Sequence, residues 1–258
     1  MTHQLILTLL SGIFISGVAG YLGTLMLSKK MSVVACPLAH LAFPGVALTI
    51  IYGLDNIALG IFPFVIIGAI FIWLLEKRTK LPMENLAAVI FASGVGTALL
   101  FLPIGKAEEA LVGSITKITP WETLMVAILS LLVFYAAKRL YQKLMLMNVH
   151  EDLATIEGIN TSRYNLLYLL NIAVVVALGV YLVGGLITAA LIAIPAASAK
   201  NISKGLRSYK AWAVIFGIIS AIAGIFIARF FQLPAGPMII VSGVVLFLIS
   251  VIFRKRIF

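Results

Sequence analysis

The sequence predicts an all-α, polytopic transmembrane helical bundle, and three observations carry that prediction. The chain has 258 residues, 62% of them hydrophobic and only 11% charged, with a mean hydropathy of +1.16. Apolar runs of membrane-spanning length, which takes ~20 helical residues, recur from end to end. The basic residues fall between those runs: Lys29 and Lys30; Lys77, Arg78 and Lys80; Lys138, Arg139, Lys143 and Arg163; Lys200, Lys204, Arg207 and Lys210; Arg254, Lys255 and Arg256. Each cluster lands on one side if the chain crosses at every run, and the positive-inside rule makes that side cytoplasmic. The net charge of +10 therefore reports topology and does not call for nucleic acid.

Nine spans satisfy this pattern, with the N-terminus outside and the C-terminus cytoplasmic. The first runs roughly from Gln4 to Ser28; no basic residue precedes it and Lys29-Lys30 follow, which suits a retained span. The second covers about Pro37 to Tyr52, the third Asn56 to Leu75 and the fourth Glu84 to Leu102. The fifth runs from about Trp121 to Tyr141 and the sixth from Tyr164 to Val183. The seventh, Gly185 to Ala199, is short for a bilayer; if it is re-entrant or merges with a neighbour, eight spans remain. The eighth and ninth cover about Ala211 to Phe230 and Gly236 to Phe253. No soluble stretch exceeds a loop, so residues 1–258 read as one integral domain in the cell (plasma or inner) membrane.

The second span holds the chemistry. In MSVVACPLAHLAFPGVA, Met31 to Ala47, His40 stands in an apolar run four residues after Cys36. An ionisable residue in hydrocarbon is expensive and calls for a partner. If a helix starts at Pro37, whose missing N–H costs nothing there, Cys36 caps it and both side chains can reach one ion. Cys36 is the single cysteine, which excludes an intrachain disulfide and leaves a free thiol or a ligand. Asn171 and Thr188 read as interhelical hydrogen-bonding residues. Ser93-Gly94-Val95-Gly96 and the Ser220/Gly224 pair read as close helix contacts. Pro195 takes one bond from the seventh span and is expected to kink it.

Two connections exceed simple turns. Leu102 to Pro120 lies outside and carries Glu108, Glu109 and Lys117; Gln142 to Arg163 lies inside. Within the inner one, about 148–162, Leu153, Ile156 and Ile159 recur at three-residue spacing and Gly158 suits a helix end. Two readings stand: a helix on the membrane surface, or one docked to a protein. Its acidic residues Glu151, Asp152 and Glu157 disfavour an anionic leaflet.

These motifs together resemble the membrane permease subunits of metal-type ABC importers for zinc, manganese or iron(II). The Met31–Ala47 stretch resembles the family's M-S-x-x-G-D-A-x-S-H-x-x-x-P-G-V-A, and LVGSI at Leu111 to Ile115 its L-F-G-S-I. EDLATIEGI at Glu151 to Ile159 is similar to its cytoplasmic D-E-x-A-x-x-x-G-V. LIAIPAASA at Leu191 to Ala199 matches L-I-I-P-A-A-x-A, and LPAGP at Leu233 to Pro237 resembles the P-x-G stretch before its last span. The resemblance covers most of the chain, in order.

It implies a homodimeric permease working by alternating access. Two cytoplasmic ABC ATPase subunits would drive it, and an extracytoplasmic metal-binding protein would deliver the ion. It implies that His40 lines the metal path, and that Glu151, Asp152, Ala154 and Gly158 couple the permease to the ATPase. The chain departs from the pattern where Cys36 replaces the acidic residue and Ala39 the serine. A thiolate is softer than a carboxylate and favours Zn2+ over manganese; otherwise Cys36 is a small buried residue in a rebuilt path. Two copies could offer two Cys-His pairs, enough for a tetrahedral zinc.

Absences agree. There is no G-x-x-x-x-G-K-[ST] loop and no H-E-x-x-H, and no acidic residue lies well inside an apolar run. The chain therefore reads as a transport permease rather than an enzyme, with no permanently bound cofactor and ATP hydrolysis in a separate subunit. The alternative is a stand-alone secondary metal carrier or channel without an ATPase; a scaffold with no substrate leaves His40 and Cys36 unexplained.

Overall fold

A computed structural model describes residues 2–29, 34–54, 56–101, 115, 118–149, 154, 156–185 and 187–253. Among them the regular structure is helical: α1 (Thr2–Ser28), α2 (Ala35–His40), α3 (Ala42–Ile51), α4 (Ala58–Thr79), α5 (Met83–Phe101), α6 (Pro120–Val149), α7 (Thr161–Leu182), α8 (Thr188–Ile202), α9 (Leu206–Phe231) and α10 (Ala235–Ile252). Six of these are long and apolar enough to cross a bilayer by length and composition: α1, α4, α6, α7, α9 and α10. The protein is a multi-pass membrane bundle.

Three of the nine expected segments are not among those six: the second, the fourth, which is the 19-residue α5, and the seventh. The second is two short helices, α2 and α3, rather than one span. Pro44 explains the break: it has no N–H to offer the carbonyl of residue 40, so the helical ladder is interrupted there. The seventh is α8, whose 15 residues fall short of the ~20 that a bilayer needs. Pro195 lies inside α8 without ending it.

α1 and α7 occupy the centre of the bundle, although like α6 and α10 they carry no distinct polar face. Their most apolar stretches are each 67% buried, against 28% for α6 and 33% for α10 at the periphery. α1 packs on α6, α8 and α9, and α7 packs on α4 and α6. Small residues set the closest approaches. A Cβ on Gly45 of α3 would run into the Gly60 carbonyl of α4, and the reverse holds for Gly60. Such backbone-to-backbone contact is how helices associate where lipid competes equally well for apolar side chains. The expected contact at Gly224 is present, against Ile239 of α10. Gly94 meets Leu41, whereas Gly96 faces open space and Ser93 is exposed, so only half of that motif packs.

The start of α6 is fixed by a capping box. Thr119 N–H donates to Glu122 Oε2 at 2.7 Å, and Glu122 N–H donates to Thr119 Oγ1 at 3.3 Å, with Pro120 at the first helical position. The other Glu122 oxygen accepts from the Tyr181 hydroxyl and so ties α6 to α7.

Candidate metal site

α2 begins at Ala35, two residues earlier than the sequence suggested. Val34 is its N-cap, so Cys36 lies within the first turn and does not cap it. Pro37 falls in the same turn, where a missing N–H leaves no bond unmade. Cys36 and His40 are then one helical turn apart on one face, as i and i+4 must be. Both are half-buried, and Cys36 is a free thiol.

The ring of His40 is held on three sides. Nδ1 lies 2.8 Å from the Cys36 carbonyl oxygen and 3.8 Å from Cys36 Sγ. A carbonyl only accepts, so Nδ1 carries the proton and donates. Nε2 is then the nitrogen with a free lone pair, the usual division of labour in a metal-binding imidazole. Phe43 meets the ring edge-on at 5.3 Å between centroids, and Phe91 of α5 does so at 4.8 Å. These contacts fix the ring plane.

The α7–α8 turn closes the neighbourhood. Gly184 adopts a φ of 112°, and Thr188 Oγ1 donates to its carbonyl at 2.7 Å. A Cβ on Gly185 would lie 3.3 Å from Phe43 and 3.7 Å from the Ala39 carbonyl. Irregular backbone beside the break in an apolar bundle is tolerated where protein covers it or where it lines a cavity.

Among the described residues, no three or more of His, Cys, Asp and Glu gather to hold a metal. One chain therefore offers the Cys36 thiol and the His40 imidazole, a soft donor and a borderline one, and a bound ion would need oxygens, water or a second copy to complete its shell.

The coupling residues are only partly placed. Glu151 and Asp152 lie outside the described residues, as do His150, Leu153 and most of LVGSI. Ala154 is fully buried, and its carbonyl accepts from Ile159 N–H at 3.0 Å around Gly158, whose φ is +75°. That is a glycine-ended helix stop, as the sequence suggested. Of the expected apolar face, Ile156 is 81% exposed and Ile159 half-buried, and Leu153 lies outside the described residues.

Asn171 and Thr188 bond locally, Asn171 Nδ2 to the Leu167 carbonyl at 2.7 Å and Thr188 to Gly184, rather than between helices. Sequence reasoning missed two polar clusters. One is Thr119–Glu122–Tyr181, which the T-x-x-E spacing signals. The other joins Lys29, Glu76 and Asn165, and no local pattern announces it.

The sequence profile of the ABC 3 transport family matches residues 1–254. The high-affinity zinc uptake system membrane protein ZnuB of Haemophilus influenzae is 27% identical over 96% of this chain and 97% of its own length. The manganese import system permease protein ScaB of Streptococcus gordonii is 26% identical over 96% of this chain and 90% of its own. Among solved structures, PsaBC from Streptococcus pneumoniae in complex with Fab aligns with a TM-score of 0.81 at 23% identity. That alignment spans 94% of this chain and 89% of the other, and it shows a shared fold.

Proposed function

This chain belongs to the ABC 3 transport family, and from that premise we propose that it is the transmembrane permease of an ATP-driven divalent metal importer, with zinc favoured over manganese or iron(II). The observation that carries the reading is the Cys36–His40 pair, one turn apart at the break between α2 and α3. The imidazole is already oriented by its bond to the Cys36 carbonyl, so little ordering is left for binding to do. Thiol sulfur beside imidazole nitrogen supports zinc over the harder manganese. Relatives named for zinc uptake and for manganese import align with the chain about equally well, so the metal preference rests on these two donors.

The working assembly in this reading is a homodimer of the chain with two cytoplasmic ABC ATPase subunits. An extracytoplasmic metal-binding protein delivers the ion to a path lined by α2 and α3. Nine crossings, with the N-terminus outside and the C-terminus cytoplasmic, put the coupling segment on the ATPase side. The acidic residues of that segment, Glu151, Asp152 and Glu157, favour a docked protein there over an anionic leaflet. Glu151, Asp152, Ala154 and Gly158 form the coupling contact, and ATP-driven tilting of their helix opens the path alternately to each side.

The test is purification of the tagged permease from its native membrane in mild detergent, followed by ATPase assays with zinc and with manganese. A co-purifying P-loop ATPase, stimulated more by zinc, is the expected result. Metal uptake by the permease reconstituted alone would transfer the assignment to a secondary carrier or channel.

A further inference from the structure

The coupling segment runs directly into α7, and the first turns of α7 are bonded on two sides. Asn160 caps the helix, its Oδ1 accepting from Arg163 N–H at 3.1 Å. Toward α6, Lys143 Nζ donates to the Tyr164 hydroxyl at 2.6 Å, so the two helices that carry the coupling segment are joined to each other. Toward α4, Trp73 Nε1–H donates to the Ser162 carbonyl at 2.9 Å. One turn further in, Asn165 joins three helices. Its Oδ1 accepts from Lys29 Nζ at 2.7 Å and its Nδ2 donates to Glu76 Oε1 at 3.4 Å. Asn165 itself is 7% exposed, and its partners Lys29 and Glu76 are half-buried.

Lys29 follows the last residue of α1, and Val34, the N-cap of α2, is five residues on. Lys29 is thus close in sequence to the start of α2, the end opposite the break that holds His40. α2 itself packs against α4 and α7, two of the three helices that the cluster joins.

We propose that Asn165, with Glu76, Lys29 and the Trp73–Ser162 bond, is a cytoplasmic latch that closes the inner end of the α2 path and that movement of the coupling segment opens. This rests on the permease reading above. The physical basis is the difference between the two sides of α7. Displacing the coupling segment carries α6 and α7 together, because Lys143–Tyr164 lies within that pair. The bonds to α4 and α1 cross out of the pair and must break. Hydrogen bonds between membrane helices are individually weak, so a handful at one seam can hold it shut and still yield to nucleotide-driven motion.

The experiment uses the complete complex of this permease with its ATPase in lipid vesicles, reading metal-free ATP hydrolysis and zinc transported per ATP. Asn165→Leu removes both bonds at nearly constant volume. Trp73→Phe removes only the indole N–H and part of one ring, which guards against a variant that does not fold. Both are expected to raise metal-free hydrolysis about fivefold, the shift that losing one or two such bonds gives, and to lower zinc moved per ATP. Wild-type values for both variants would overturn the latch, as would a proportional fall in hydrolysis and uptake, which marks a purely structural contact. Failure of the permease reading shows separately, as a wild-type complex with no metal-stimulated hydrolysis.

Discussion

At the scale of single residues, the site turns on where a proton sits. Because the Cys36 carbonyl takes the Nδ1–H of His40, Nε2 is the ring nitrogen left to face an incoming cation. His40→Ala is expected to lower zinc affinity by at least about 10–100-fold, the loss that even outer-sphere partners cause; zinc-dependent ATPase activation measures it. Cys36→Asp restores the acidic residue of the resembled motif and should move the preference toward manganese. Unchanged zinc-to-manganese selectivity in that variant would leave Cys36 as a packing residue only. Gly158 is a different kind of residue-scale constraint. A Cβ there meets nothing, so space is free, but its φ of +75° disfavours any L side chain. Gly158→Ala should cost about 1–2 kcal/mol of local order and uncouple hydrolysis from uptake, with Gly158→Asn milder in both readings.

Helices are held here by polar ends and bare glycine faces. The Thr119–Glu122 capping box closes the start of α6, and Tyr181 extends it to α7 just before the turn that packs on Phe43. Glu122→Ala therefore loses a cap worth about 1 kcal/mol and leaves the Tyr181 hydroxyl without its carboxylate. Its thermal unfolding midpoint should fall further than that of Tyr181→Phe. The Gly45–Gly60 contact predicts a distinct pattern. Either glycine changed to alanine forces α3 from α4 at a cost of about 1–3 kcal/mol. Because the first substitution already separates the helices, the second should add much less than its own single-site effect. Thermal unfolding of the two single variants and the double variant gives the comparison directly.

For the molecule as a whole, charge and length pull in one direction and helix continuity in another. Basic clusters at every second connection fit the expected odd number of passages, while among the described residues six helices are long and apolar enough to cross by themselves. α2, α3, α5 and α8 account for the remaining expected segments, and each packs on neighbouring helices of the bundle. Thiol labelling with a membrane-impermeant reagent tests the resulting topology. Trp121→Cys, at the start of α6, should label from outside intact cells, and Lys204→Cys, before α9, only after permeabilisation. Labelling of Lys204→Cys from outside would reverse the assigned orientation.

Composition, run length and the positions of lysine and arginine determined by themselves that this chain is a multi-pass helical membrane protein and which segments are helical. These properties depend on transfer of each segment from water to hydrocarbon, which is local and additive along the chain. The pairing of Cys36 with His40 was legible for the same reason, since four-residue spacing fixes a common helix face. The capping box at Thr119 was also there to be read. Tertiary structure alone decided that Asn171 bonds to its own helix and that Ile156 faces outward. It alone brought Lys29, Glu76 and Asn165 together from three helices. Such contacts depend on how helices rotate and cross, and every face of these helices is apolar enough that no periodicity in the sequence specifies which one turns inward.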